Sequence, residues 1–364
     1  MPPVGAALRV GAAGVGGGAM RRRGLAPVLA LALAAGARTG LSQPLAPKPY
    51  PPPVAWLPLI GEYGAGAERL LVREDGGRLE IVLGRRPYTL TATPGGFTVD
   101  SGPDGGTAIR FERAPGGAVA RMDLGTWLLP RRPVGTEEGV TFRITPLHPV
   151  DSLREAALAM HPPPQPRGLR KPDLVDLTTL DPRIRLDIRY ATTNDFLGSA
   201  MYTSARAFLQ RPAAEALLRA LRRLVPQGYG LVIHDAYRPW YVTRMFWDAT
   251  PDSLRMFVAN PDSGSRHNRG CAVDLSLYDL RTGAEVRMTG GYDEFSPRSY
   301  ADYPGGTSLQ RWYRALLRIA MEREGFQVYP QEWWHFDYKD WQRYPVLNLS
   351  FEELAEPRAQ HNPR

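Results

Sequence analysis

The chain has 364 residues, a length that corresponds to about two domains. Its single cysteine, Cys271, excludes an intrachain disulfide framework, a cysteine-rich zinc finger and an iron–sulfur cluster. The net charge of +8 is concentrated at the N-terminus: removing residues 1–37 leaves 41 basic and 37 acidic side chains, a net charge of +4. A nucleic-acid partner is therefore disfavoured.

The N-terminal segment predicts export. An arginine run at residues 21–23 precedes an apolar stretch over residues 25–37 that ends in Ala-Gly-Ala. This order is typical of a signal peptide cleaved after Ala37, with Met20 as an alternative start of translation. The apolar stretch is shorter than the about 20 residues of a transmembrane helix. We therefore expect an exported mature protein, periplasmic or extracellular, without a transmembrane segment.

Two regions with different patterns follow. Residues 38–53 are rich in proline and predict an extended, semi-rigid linker. Residues 54–150 contain short alternating runs separated by glycine pairs, which predict a small all-β domain, a barrel or a sandwich. We interpret it as an accessory or interaction domain. The predicted strands are Arg69–Arg73, Leu79–Leu83, Tyr88–Thr93, Ala108–Arg113, Val119–Leu124 and Val140–Thr145.

The pattern changes again towards the C-terminus. A second linker is predicted over residues 151–172, an α+β domain over 173–350 and a tail over 351–364. Apolar residues at i, i+3 and i+4 indicate helices in the α+β domain, and short β-branched runs indicate strands. The predicted helices are Ala205–Leu224 and Leu309–Ala320, and the predicted strands are Tyr229–His234, Ala272–Leu277 and Phe326–Tyr329.

Two of the six histidines lie in motifs with acidic residues. One motif, residues 265–274, reads SRHNRGCAVD, and the other, residues 332–335, reads EWWH. A catalytic zinc ion takes three protein ligands and keeps one coordination position open. We predict that His267, Asp274 and His335 are those ligands. The alternative, ordinary structural histidines, would have to hold for both motifs at once.

Two further side chains are candidates for catalysis. Glu332 lies three residues before His335, where it can serve as general base and then as general acid without binding the metal. Arg238 follows a predicted strand within the sequence DAYRP, residues 235–239. It either stabilises an oxyanion or forms a structural salt bridge with Asp235, and its position in the sequence leaves both interpretations open.

These motifs resemble those of a known family. The patterns SxHxxGxAxD and ExxH, together with residues 235–239 and the sequence RYATTNDFLG at 189–198, are similar to the D-alanyl-D-alanine dipeptidases of the vancomycin-resistance type. The resemblance covers about residues 173–347. It implies a hedgehog-like α+β domain with an antiparallel sheet and flanking helices, and one zinc ion per active site. The implied reaction is hydrolysis of D-Ala-D-Ala to D-alanine, in peptidoglycan turnover or glycopeptide resistance.

The resemblance also implies roles for individual residues. The stretch around Asp293 reads MTGGYD where the family has MGxxFD, so Thr289 and Tyr292 depart from the family pattern. Cys271 stands at a small residue of the zinc motif, and we expect it to serve packing. The resemblance implies that zinc is bound by His267, Asp274 and His335. It implies catalysis by Glu332 and Arg238. It implies substrate binding by Ser265, Asp293 and Tyr190.

Two alternative functions remain open from the sequence. Within the same fold, the enzyme could be a D,D- or L,D-carboxypeptidase acting on longer wall peptides. In a different class, the chain could be a non-enzymatic cell-wall-binding protein that acts through residues 54–150. That β domain lies outside the family's compact domain, and we expect it to be the part that contacts peptidoglycan, while a small D,D-dipeptide is the expected substrate.

Overall fold

A computed structural model describes residues 45–66, 69–102, 105–132 and 142–355. The predicted signal peptide over residues 1–37 lies outside these ranges, as does the first part of the linker predicted over 38–53. Within the described ranges, no helix combines the length and the apolar character that a membrane span requires.

The predicted β region is one antiparallel sheet whose strands follow each other in sequence order. The sheet closes on itself, because Tyr63 in the first strand bridges Arg131 and the Gly64 N–H donates to the carbonyl of Pro130. Closure leaves no exposed sheet edge at this seam. The strands are β1 (Gly61–Tyr63), β2 (Leu70–Asp75), β3 (Arg78–Leu83), β4 (Arg86–Thr93), β5 (Gly96–Val99), β6 (Ala108–Arg113), β7 (Val119–Leu124) and β8 (Trp127–Pro130).

Sequence patterns missed three strands of this barrel and predicted one too many. Strands β1, β5 and β8 are three or four residues long, too short for alternation to be visible. The described part of the predicted strand Val140–Thr145 is not a strand. Because β8 already meets β1, the barrel offers no edge for it. This segment instead crosses to the C-terminal domain, where the Ile144 N–H donates to the Phe196 carbonyl.

The C-terminal domain is built on a five-stranded sheet with helices packed against it. Its strands are β9 (Leu174–Asp176), β10 (Ile184–Leu186), β11 (Phe208–Gln210), β12 (Tyr229–Asp235), β13 (Ala272–Asp279), β14 (Phe326–Tyr329) and β15 (Glu332–Tyr338). Its helices are α1 (Val150–Leu158), α2 (Arg211–Leu224), α3 (Trp240–Ala249), α4 (Ser308–Glu322) and α5 (Phe351–Ala355). The mixed α and β composition agrees with the predicted class.

The sheet order is β10-β12-β13-β15-β14, with β9 and β11 forming a separate pair. The expected antiparallel sheet needs one correction, because β10 and β12 run parallel. The chain between them includes helix α2, and a crossover of this length is what parallel neighbours require. The other three pairs in the sheet are antiparallel.

Three segments differ from their predicted state. The helix predicted from Ala205 begins only at Arg211, because β11 occupies the preceding residues and pairs with β9. The linker predicted over 151–172 contains most of helix α1, whose Leu153 and Ala157 are buried one turn apart. The predicted tail begins with a buried residue, Phe351, which packs against core aromatic rings. In the linker and the tail, apolar residues at few positions gave too weak a pattern, whereas the predicted helix extended too far at its N-terminal end.

The barrel packs directly against the segment that precedes α4. Leu71 and Val82 of the barrel form a small apolar cluster with Tyr303, whose hydroxyl donates to Glu62 Oε1 at 3.1 Å. Arg314 of α4 donates to the Tyr303 carbonyl at 2.9 Å. The described residues accordingly cluster as one compact unit, so the β region is packed onto the C-terminal domain.

The barrel also supplies a carboxylate to the first turn of α4. The helix begins with a capping box, in which the side chains of Thr307 and Gln310 each accept the other residue's backbone N–H. Glu74 of β2 is buried, and its Oε2 accepts the Ser308 N–H at 2.7 Å. A negative charge at a helix N-terminus is favoured by the helix dipole. The barrel therefore stabilises a helix of the neighbouring domain.

We expect Glu74→Ala to lower the free energy of unfolding by about 1–3 kcal/mol, because it leaves the partly buried Ser308 N–H without its charged acceptor. Urea unfolding of the wild type and the variant measures the difference. Glu112→Ala is the matched control, because Glu112 lies in the same barrel but is exposed, and a change within about 0.5 kcal/mol is expected. Equal losses in the two variants would contradict the capping role.

Candidate active site

Three predicted metal ligands meet at one end of the five-stranded sheet. Asp274 of β13 and His335 of β15 are opposite partners in the strand register. His267 lies in a short 3-10 turn before β13, and the turn ends at Gly270 with a φ of +64°. A Cβ atom on Gly270 would come within 2.5 Å of Leu174 Cδ2. The left-handed backbone therefore favours glycine there, and any larger residue would also force the Leu174 side chain to shift.

The three ligand atoms are close to one another. His267 Nε2 lies 3.0 Å from His335 Nδ1 and 3.3 Å from Asp274 Oδ1, and the His335–Asp274 distance is 3.0 Å. Ligands at about 2.0–2.2 Å from a tetrahedral ion are about 3.3–3.6 Å apart. The observed spacing fits three ligands of one metal ion after a small outward adjustment.

The outer ring nitrogens of both histidines face hydrogen-bond acceptors. His267 Nδ1 lies 2.6 Å from the Ala236 carbonyl oxygen, and His335 Nε2 lies 2.9 Å from Asp337 Oδ1. These contacts place a proton on each outer nitrogen and a lone pair on each inner one, the tautomer that metal ligation needs. The donor set and its supporting contacts therefore fit a divalent metal ion.

Two supporting residues of this group were missed in the sequence. Asp337 lies two residues after His335, on the same face of β15, and this spacing was a usable signal. Tyr292 donates its hydroxyl to Asp274 Oδ2 at 3.1 Å, which leaves Oδ1 for the metal. No local pattern linked Tyr292 to Asp274, because the two residues meet only through the fold.

Opposite charges dominate the electrostatics of this group. Burial opposes a charge on His335, but the neighbouring Asp337 and Asp274 carboxylates outweigh it and raise the pKa of His335 well above its ordinary value. The negative charges that favour a proton on His335 also favour a divalent cation at this position. Binding of the cation would release that proton.

Glu332 lies beside the three ligands without joining them. Its Oε2 is 3.6 Å from His335 Nδ1, and the group of mutually close ligand atoms does not include it. Desolvation raises the pKa of Glu332 to about 7, and the Asp274 charge adds to the rise while His335 opposes it. A carboxyl group with a pKa near neutrality is suited to exchange protons in both directions.

Arg238 forms the salt bridge that its sequence position left open, and it also faces the cavity. Its Nε and Nη2 donate to Asp235 Oδ2 at 2.9 and 2.7 Å, so the salt bridge exists and is buried. The same Nη2 lies 4.0 Å from Asp274 Oδ2. The guanidinium also lines the cavity that contains the ligand atoms. Asp235 thus holds the charge of Arg238 next to the metal ligands.

The three predicted substrate-binding residues are buried near this group. Asp293 Oδ2 accepts the Tyr190 hydroxyl at 2.7 Å. Burial raises the pKa of Asp293 well above its ordinary value, although the Tyr190 hydrogen bond lowers it. Ser265 Oγ accepts the His267 N–H at 3.2 Å. Within the described part of the chain, Asp293 is the one non-glycine residue with a positive φ, +56°, a strained state typical of functional positions.

All eight predicted site residues line a single cavity of about 110 Å³, together with a wall of apolar side chains. This volume is far below the about 300–1,000 Å³ of sites for drug-sized ligands, so the cavity suits a small ligand. Cys271 is fully buried among core residues and is not in the metal-ligand group. The apolar wall is formed by Phe196, Phe246, Met256, Phe257, Val258 and Phe295.

Comparisons with known proteins find relatives of the C-terminal domain. Residues 170–354 match a family model described as D-ala-D-ala dipeptidase. The chain is 36% identical over 189 residues to a D-alanyl-D-alanine dipeptidase of Escherichia coli. The matched region covers 52% of this chain and 96% of that relative. The chain is 35% identical over 186 residues to one of Enterococcus faecium, covering 46% and 92%, and 34% identical over 175 residues to one of Streptomyces coelicolor, covering 43% and 87%.

We expect Asp337→Ala to weaken metal binding by about 10- to 100-fold, because the His335 ring loses the acceptor that orients it. Titration of metal-free protein with Zn²⁺ against a chromophoric chelator measures the affinity. Asp340→Ala is the control, since Asp340 pairs with Arg170 at the surface and its loss should leave the affinity unchanged. Unaltered affinity in Asp337→Ala would exclude the supporting role.

Proposed function

The chain belongs to the D-ala-D-ala dipeptidase family, and from that premise we propose that it hydrolyses D-alanyl-D-alanine with one zinc ion bound by His267, Asp274 and His335. The observation that carries this proposal is the convergence of the three ligand atoms within 3.0–3.3 Å, beside a carboxyl group that is free to exchange protons. The arrangement of sheet and helices supports a hedgehog-like fold for this domain.

Zinc is the metal that suits this donor set. Two imidazole nitrogens and one carboxylate oxygen at tetrahedral spacing are typical of catalytic zinc sites. When bound, the ion supplies Lewis-acid activation of water and of the scissile carbonyl. The remaining chemistry falls to Glu332 and Arg238, which both line the same cavity.

Glu332 moves the proton. As the water oxygen bonds to the carbonyl carbon, the ionised carboxylate of Glu332 takes a proton from that water. As the C–N bond breaks, Glu332 returns the proton to the leaving amine, so that two molecules of D-alanine result. Arg238 donates hydrogen bonds to the carbonyl oxygen as it becomes negative. Asp235 keeps the guanidinium in place for this task.

The substrate's ammonium group is held at Asp293. A buried carboxylate without a cationic partner is costly, so an ammonium group at this position restores a favourable ion pair. The Tyr190 hydroxyl fixes the Asp293 carboxylate, and Ser265 lies on the cavity wall. A peptide extended at its N-terminus lacks this charge and adds bulk. The site therefore favours a free dipeptide over longer wall peptides.

The decisive experiment measures D-alanine release from D-Ala-D-Ala by the zinc-loaded protein. We expect Glu332→Gln to lower the rate by about 100- to 10,000-fold while zinc content stays unchanged, because Glu332 is not a ligand. Glu322→Gln, at the exposed end of α4, is the control and should keep full activity.

The same assay includes N-acetyl-D-Ala-D-Ala and a wall tripeptide, which we expect to be poor substrates. Faster cleavage of these longer compounds would favour the carboxypeptidase alternative. The absence of D-alanine release by folded, metal-loaded protein would overturn the proposal.

We also propose that the enzyme is exported and acts on wall-derived dipeptide, in peptidoglycan turnover or glycopeptide resistance. The arginine run and apolar stretch of residues 21–37 support this. N-terminal sequencing of the protein recovered outside the cytoplasm is expected to start at residue 38. An uncleaved protein retained in the cytoplasm would contradict export. A contact between the barrel and peptidoglycan stays a prediction.

A further inference from the structure

We propose that Arg266 binds the free carboxylate of the dipeptide, at the junction between the catalytic cavity and a second cavity. This inference rests on the proposed function, because it assigns the other charged end of the same substrate. The dipeptide is a zwitterion. Asp293 accounts for its ammonium group, and Glu332 and Arg238 account for its scissile bond.

Arg266 belongs to both cavities. It lines the catalytic cavity next to His267 and, with Tyr329, also lines a neighbouring cavity of about 550 Å³. The second cavity extends along β14 and includes Lys339. Arg266 and Tyr329 therefore form the boundary between the two spaces, and a group bound by Arg266 remains accessible from the catalytic side.

The guanidinium of Arg266 is held in position while part of its surface remains accessible. It lies over the Trp341 ring at 4.8 Å from the ring centroid, and its Nε is 3.5 Å from Asp337 Oδ2. The side chain is 40% exposed. Stacking fixes the plane of the guanidinium, and the exposed part leaves donors for a carboxylate, which arginine binds through two parallel hydrogen bonds.

The other arginine of the catalytic cavity is already engaged. Arg238 donates twice to the buried Asp235 carboxylate at 2.9 and 2.7 Å. Arg266, in contrast, has one longer ion pair with a described residue, Asp337. That carboxylate is shared with His335. The positive charge of Arg266 is thus less compensated than that of Arg238. A substrate carboxylate can form an ion pair with it.

The contacts of Asp293 run towards β12, and the contacts of Arg266 run towards β15 and β14. Asp293 contacts Tyr190, whose ring lies 5.2 Å from the Arg238 guanidinium, and Arg238 follows β12. Arg266 contacts Asp337 of β15 and shares a cavity wall with β14. The proposed ligands Asp274 and His335 lie on β13 and β15, which stand between β12 and β14 in the sheet. A dipeptide with its ammonium at Asp293 therefore directs its carboxylate towards Arg266.

The test compares D-Ala-D-Ala with its C-terminal amide, which lacks the negative charge. We expect the wild type to prefer the carboxylate in kcat/KM by about 10- to 100-fold, as a charge-assisted hydrogen bond requires. In R266Q this preference should fall close to one, and R266K should retain part of it. A purely structural loss would lower both substrates equally, so the ratio isolates carboxylate recognition.

Lys339→Gln is the matched control, because Lys339 lines the second cavity and does not line the catalytic cavity, and its ratio should equal that of the wild type. Calorimetric binding of both ligands in an E332Q background gives the same comparison without turnover. It also separates a failure of this inference from a failure of the proposed hydrolysis. An unchanged preference in both R266Q and R266K, or a loss of preference in K339Q instead, would overturn the assignment.

Discussion

The register between β13 and β15 is the constraint on which the site depends. Asp274 and His335 are opposite partners, and side chains alternate between the faces of a strand. A slip of one residue would therefore turn one ligand away from the other. His267 reaches the same point through a turn that ends in left-handed backbone at Gly270. The sheet thus sets the positions of the three side chains without a metal ion. The free energy of folding offsets the unfavourable free energy of bringing these polar groups together.

The charged groups in and around the catalytic cavity fall into two classes. Those with firm protein partners hold geometry: Asp337 orients His335, and Asp235 holds Arg238. Glu332 and Asp293 are less compensated, and burial raises the pKa of each. These are the groups that a proton in transit or an ammonium ion can satisfy. Incomplete charge compensation in a low-dielectric cavity is therefore shared by the two residues that we propose to meet the substrate.

Local sequence was sufficient to predict the residues that meet at the cavity and insufficient to predict the residues that support them. The two motifs predicted His267, Asp274, Glu332 and His335, because each motif is a short stretch whose spacing is visible in the chain. The contact of Tyr292 with Asp274 joins residues 18 positions apart through a loop, and no periodicity signals it. The contact of Glu74 with Ser308 spans 234 positions. The packing of the barrel onto the C-terminal domain depends on such long-range contacts and could not be predicted.

The docked barrel has a consequence for how the site loses its structure. Arg314 of α4 donates both to Tyr303, which packs on the barrel, and to Thr289, four residues before Asp293. The stretch around Asp293, the proposed ammonium site, therefore shares its scaffold with the barrel, whereas two of the three proposed metal ligands, Asp274 and His335, belong to the central strands. Detachment of the barrel would favour local unfolding of the stretch around Asp293 and leave β13 and β15 paired. The proposed ammonium site and the proposed metal site thus depend on different parts of the fold for their local stability.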